Sequence, residues 1–168
     1  MLRVAEPRDA EAIGVIRVAA WRAAYQKFMP KDFLADLNPE QNLAELKERL
    51  LVQSPDFNLS VAEAQGEVVA FSIVGKPRYK TMAGAIELWA LNVLPEYWRV
   101  GIGSSLVERA ISDTSVAGFG QIELWCIDGN APAQKAYEKH GFSQSGQIRA
   151  SSQLTGHMLR ELHYVKRL

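Results

Sequence analysis

Apolar positions along the chain follow two rhythms. Spacings of three and four residues place Ile13, Ile16, Ala20 and Ala24 on one helical face, and Leu43, Leu46 and Leu50 on another. Runs rich in β-formers occupy 58–64, 68–74, 85–94 and 121–127, and each reads as a strand. Leu2 to Ala5 is a short strand stopped by Pro7, with Asp9 set to cap the first helix and Pro30 to break it. A second helix is expected from about Glu40 to Leu51, ended by Pro55. Gln65-Gly66-Glu67 between two runs signals a hairpin. Further on come a helix from about Ser104 to Ser115 and another from Pro132 to Lys139, stopped by Gly141. Weaker strand signals follow near Phe142 to Arg149 and Met158 to Lys166. The predicted order is β-α-α-β-β-β-α-β-α-β-β, a mixed α/β sheet in which hairpins give way to strand-helix-strand units. With no repeat, linker or low-complexity tract, residues 1–168 are expected to form a single domain.

Composition narrows the function. Nineteen Lys plus Arg balance nineteen Asp plus Glu, so the basic excess that drives binding to a phosphate backbone is missing and nucleic acid is not an expected partner. One cysteine, Cys126, excludes an internal disulfide and suits a reducing compartment, so a cytoplasmic location is expected. Charges near the start and the lack of a run approaching ~18 apolar residues give no sign of export or membrane attachment.

The most informative stretch runs from Leu91 to Leu106, LNVLPEYWRVGIGSSL, a strand ending at Pro95 and a glycine-containing turn that opens a helix. Gly101 and Gly103 permit conformations closed to other residues, so that successive backbone N–H groups can converge on a phosphate at the helix N-terminus. Arg99 adds a full positive charge. Two glycines can also simply shape a tight connection. A dinucleotide-binding turn fits poorly, because Leu106 stands where its third glycine belongs.

Trp98 to Gly103, in this context, resembles the acetyl-CoA motif Q/R-x-x-G-x-G/A of the GNAT superfamily of N-acetyltransferases, with Trp98 at the position that most often holds Gln or Arg. The resemblance implies the GNAT fold, with a central mixed sheet splayed where acetyl-CoA enters. It makes Trp98, Arg99, Val100, Gly101, Ile102, Gly103 and Ser104 the pyrophosphate cradle, and Leu91, Asn92 and Val93 the strand end that holds the pantetheine arm and acetyl group.

Downstream, Asn130 to Phe142 looks like the family's N-x-x-A-x-x-x-Y-x-x-x-G-F segment. Asn130 could cap a helix, and Ala133 and Tyr137 could be core; the resemblance adds that Asn130 and Ala133 border the pantetheine arm and that Tyr137 is the acid that returns a proton to the CoA sulfur. Glu87, on the third long strand, is the first candidate for the base by analogy with the histone-acetyltransferase branch. At ~3.3 Å per residue it stands over ~10 Å from Leu91, so it needs a water chain or a bulge, and a solvated strand glutamate is the plain alternative. The backbone N–H of Val93 is the expected oxyanion donor.

His140, His157 and His163 lack ligand spacing, so no metal is expected, and Cys126 alternates with Ile122 and Leu124 as a buried filler. Trp21, Tyr25 and Phe28 form an aromatic stripe that the resemblance sets beside the amine-binding cleft. The expected reaction is direct acetyl transfer from acetyl-CoA to a primary amine of a small molecule, of polyamine or amino-sugar type. A protein or peptide amine, a catalytically inactive CoA-binding sensor and a nucleotide-binding module are the alternatives. A homodimer fits the superfamily's habit.

Overall fold

In the computed structural model, residues 1–52, 54–79 and 83–168 are described. The strands are β1 (Leu2–Val4), β2 (Phe57–Ala64), β3 (Glu67–Gly75), β4 (Ala85–Val93), β5 (Gln121–Ile127), β6 (Ser143–Ser151) and β7 (Leu159–Arg167). The helices are α1 (Ala10–Ala24), α2 (Lys31–Ala35), α3 (Leu43–Leu50), α4 (Ile102–Val116) and α5 (Ala131–Lys139). One sheet in the order β1-β2-β3-β4-β5-β7-β6 joins all seven strands. The expected order of elements is present, with one addition: α2 is five residues long, too short for an apolar period to announce it.

The hairpin between β2 and β3 turns on Gln65 (φ 54°) and Gly66 (φ 86°), two consecutive left-handed residues of the kind that match the twist of paired strands. Asp9 does not cap α1 with its side chain as expected. Its carboxylate accepts from Arg3 Nη1 and Nη2 at 2.6 and 2.8 Å and from the Glu6 amide at 2.8 Å, which ties β1 to the start of the helix. Helix α1 ends at Ala24, before Pro30, so Tyr25 is its C-cap and Phe28 lies in the following turn.

Two cores lie on opposite faces of the sheet. On one, Leu59, Val61 and Phe71 pack under Ile13 and Ile16 of α1. On the other, Ile86, Leu88, Ile122 and Leu124 pack under Val107 and Ala110 of α4, with Ala133 and Tyr137 of α5 against the same cluster. Gly14 lets the segment before α3 lie on α1: a Cβ there would stand 2.1 Å from the Pro39 carbonyl oxygen. Gly14→Ala is therefore expected to cost about 3 kcal/mol, lowering Tm by roughly 6–12 °C, because backbone rather than a flexible side chain must move. Thermal unfolding of the variant checks this.

The central pair of strands sets the site. β4 and β5 run parallel and pair only at Ala85↔Gln121, Ile86↔Ile122 and Glu87↔Glu123. Past Glu87 the two strands part, leaving the β5-facing edge of Leu88 to Val93 without a ladder. On its other edge β4 stays paired with β3 through Ala70↔Val93, apart from one irregularity: Ile73 faces Ala90 and Val74 faces Leu88, so Trp89 is an extra, bulged residue.

Candidate active site

The open end of the sheet lies between the last turn of β4 and the last turn of β5. Leu94 donates its backbone N–H to Val69 O of β3 at 2.9 Å. By strand alternation, the N–H and C=O groups of Val93 and Leu91 point the other way, into the gap. The Val93 carbonyl there accepts the Trp98 indole N–H at 2.7 Å. Trp98 thus fastens the turn to the strand end, and its backbone amide is engaged by Pro95 O at 3.2 Å.

The turn beyond Trp98 is built differently. Arg99 (φ 63°) and Gly101 (φ 93°) both take left-handed conformations, and Gly101 is the N-cap of α4 without any side-chain cap. Among the described residues, none accepts a hydrogen bond from the amides of residues 99–104. A Cβ at Gly101 would meet nothing within 4 Å, and one at Gly103 only Val93 Cγ2 at 3.7 Å. The result is a concave row of unused N–H groups at a helix N-terminus, with Arg99 beside it, a geometry suited to a phosphate oxygen. The Ser104 hydroxyl is held by His140 Nε2 at 3.0 Å, which links α5's C-cap to the first turn of α4.

Asn130 occupies the N-cap position of α5, but its side chain makes no capping bond, which leaves the amide group available to another partner. Further along α5, Tyr137 packs against Phe142 (ring centroids 5.9 Å apart, edge-on) and the core that includes Cys126. Burial, followed by the closeness of Tyr25 and Cys126, holds the Tyr137 phenol well above its ordinary pKa. Tyr25 approaches from α1, on the opposite face, so the two phenols sense each other across the parted strands. Burial together with Cys126 and Glu161 pushes Tyr25 up to about 12.

Cys126 is buried, and burial with the charge of Glu161 pushes its thiol up to about 12. At pH 8 only about one part in 10⁴ is thiolate, against roughly a quarter for an ordinary cysteine of pKa ≈ 8.5. Iodoacetamide is accordingly expected to label Cys126 about a thousandfold more slowly in the folded protein than in denaturant, as followed by intact mass.

Trp21, Tyr25 and Phe28 come together as an aromatic wall with Met29, Leu34, Ile127 and Leu159. Trp21 and Tyr25 meet edge-on at 5.6 Å, and Phe28 Cε1 lies 3.5 Å from where a Cβ on Gly129 would stand, before α5. Trp21 also borders a cavity of about 260 Å³ between α1 and α3 that is floored by Ala90 and Asn92.

Glu87 is placed otherwise than expected. Regular alternation would put it on the face of Leu91 and Val93; the bulge at Trp89 moves it to the face of Ala90 and Asn92. There it is fully buried, with Oε1 receiving Arg78 Nη2 at 2.6 Å and Nε at 3.0 Å, and Oε2 the Arg78 amide at 2.8 Å. Arg78 thus supplies three donors to a carboxylate that is closed to solvent.

A family model described as the acetyltransferase (GNAT) family matches residues 11–142. The chain belongs to that family. Among relatives, it is 28% identical over 130 residues to the uncharacterized N-acetyltransferase YuaI of Bacillus subtilis (strain 168), covering 77% of this chain and 72% of that one. Among solved structures, it is similar to the PaiA N-acetyltransferase of Thermoplasma acidophilum in complex with coenzyme A, with a TM-score of 0.80 and 17% identity over 100% of this chain and 98% of that one. It is also similar to the ribosomal-protein-alanine N-acetyltransferase of Brucella melitensis, with a TM-score of 0.72 and 23% identity over 100% and 99%. The GNAT fold and acetyl-CoA-dependent N-acetyltransferase chemistry follow. The unused amides of the turn, the parted strands and the free Asn130 side chain fit a phosphate-bearing thioester cosubstrate.

Proposed function

We propose that this GNAT enzyme, acting as a single domain, transfers an acetyl group directly from acetyl-CoA to a primary amine of a small molecule, of the polyamine or amino-sugar type. The observation that carries the reading is the half-buried Tyr137 ring packed against the Cys126 cluster, beside the part of β5 that has left β4, with its phenol held above the ordinary pKa by burial. Bound acetyl-CoA supplies an acyl thioester open to attack by an amine. Arg99 and the amides from Val100 to Ser104 hold its pyrophosphate, with Ile102 and Gly103 forming the floor of the turn. Leu91, Asn92 and Val93 align the arm along the strand edge, and Asn130 and Ala133 flank it from α5. The Val93 N–H is a fixed donor for the carbonyl oxygen as negative charge develops there, and being fixed it needs no reorganisation. Tyr137 gives its proton to the departing sulfur, and bulk water, reached through a chain of waters, takes one from the incoming ammonium.

Trp21, Tyr25 and Phe28 select the acceptor through the aromatic wall. The cavity of about 260 Å³ that adjoins the wall at Trp21 has room for a small amine. Thiol release from acetyl-CoA, measured across polyamines, amino sugars, amino acids and peptides, tests the class. The highest kcat/KM is expected for a polyamine or amino sugar; a peptide amine as the best substrate would overturn the small-molecule reading.

A further inference from the structure

Beta-strand register brings together a group of residues that the cosubstrate site does not use. On β7, Leu159, Glu161 and His163 share one face of the sheet. Leu159 belongs to the aromatic wall with Tyr25 and Phe28, so Glu161 is the next residue along that face. Its cross-strand neighbours are Ile127 at the parted end of β5 and Arg149 on β6. The carboxylate therefore stands at the edge of the wall, beside the end of the gap.

A chain of side-chain contacts supports it from behind. Arg149 Nε donates to Glu161 Oε2 at 2.6 Å, with the two side chains 16% and 23% exposed. The Arg149 guanidinium lies 4.2 Å from the Tyr79 ring centroid and 4.5 Å from that of Trp125, in the corner formed by the two rings, whose centroids are 5.8 Å apart. Trp125 is in turn stacked on His163 at 4.7 Å, and His163 Nδ1 meets Ser145 Oγ at 2.8 Å. Such packing fixes the rotamers of both Arg149 and Glu161. Because a carboxylate offers about four acceptor positions and Arg149 takes one, Oε1 keeps its capacity for a donor.

We propose that Glu161, oriented by Arg149, binds the acceptor as a cation, its Oε1 receiving the ammonium group of an amine whose carbon skeleton lies against Tyr25 and Phe28. The charge of Glu161 already reaches this point, since it helps raise both Tyr25 and Cys126, two groups that in turn help raise Tyr137. The acceptor class is thereby an aliphatic, protonated amine. This rests on the small-amine transferase reading above, and the two can fail separately.

The test compares wild type, Glu161→Gln and Glu161→Asp with the best aliphatic amine from the acceptor panel. Gln keeps an oxygen for Arg149 and removes the charge; its acceptor KM is expected to rise roughly 10–100-fold, as for a lost charged hydrogen bond, with kcat changed much less. The KM for acetyl-CoA and the thermal stabilisation by acetyl-CoA are expected to stay as in wild type, which also shows that the variant folds. Asp, shorter but charged, is expected to recover part of the loss. An unchanged acceptor KM in Gln, or an Asp variant no better than Gln, overturns the proposal while the transferase reading stands. Absence of amine-dependent thiol release in wild type overturns both.

Discussion

Tyr137→Phe is expected to lower kcat by roughly 10²–10⁴-fold with little change in either KM, the range expected when a positioned proton donor is removed. The substitution deletes one oxygen. The ring stays against Phe142 and the Cys126 core, so packing is preserved. The wild-type phenol, raised by burial, keeps its proton across the working pH range and is there to donate to the sulfur as negative charge develops on it. The loss should therefore shrink for acyl donors whose thiol is a better leaving group. Equal turnover of Tyr137→Phe and wild type would remove Tyr137 from the chemistry.

A second large effect is expected at the turn. Gly103→Val places a branched side chain between the first turn of α4 and the end of β4, where a bare Cβ would already meet Val93 Cγ2 at 3.7 Å. The helix tolerates valine at a cost under about 1 kcal/mol, so the fold is expected to persist. The space in front of the unused amides is filled instead, and the KM for acetyl-CoA is expected to rise roughly 30–100-fold, about 2–3 kcal/mol of binding. Steady-state kinetics with acetyl-CoA varied at saturating amine, supported by circular dichroism of the folded variant, reads this out. An unchanged KM would show that the cosubstrate is held elsewhere.

Much of this architecture is legible in the chain. β5 occupies the predicted 121–127, because its run of β-formers pairs with β7 along its whole length and with β4 at Gln121 to Glu123. The glycine turn and the opening of α4 also lie where residues 101–104 put them, since few sequences other than glycine tolerate φ 93°. What escaped reading depends on contacts distant along the chain. The fate of Glu87 turns on a bulge two residues away at Trp89 and on Arg78 in the preceding loop, neither of which has a periodic signature. The approach of Tyr25 to Tyr137 across the sheet arises only once β4 and β5 part. Glu161 and Arg149 were hidden because β6 and β7 carry mixed polar patterns, and only the β5-β7-β6 order sets those two beside the aromatic wall. A carboxylate recurring every second residue with Leu159 and His163 was the available signal, weak because half-polar strand faces are also common at surfaces.

The measurement that bears most directly on the account is the paired appearance of free CoA thiol and N-acetylated amine when the purified protein is mixed with acetyl-CoA and an aliphatic amine. One equivalent of each, with neither formed when amine is omitted, is the predicted result. Stabilisation by acetyl-CoA with no acetylated product from any amine would contradict it, and would leave a protein that binds the cosubstrate without transferring from it.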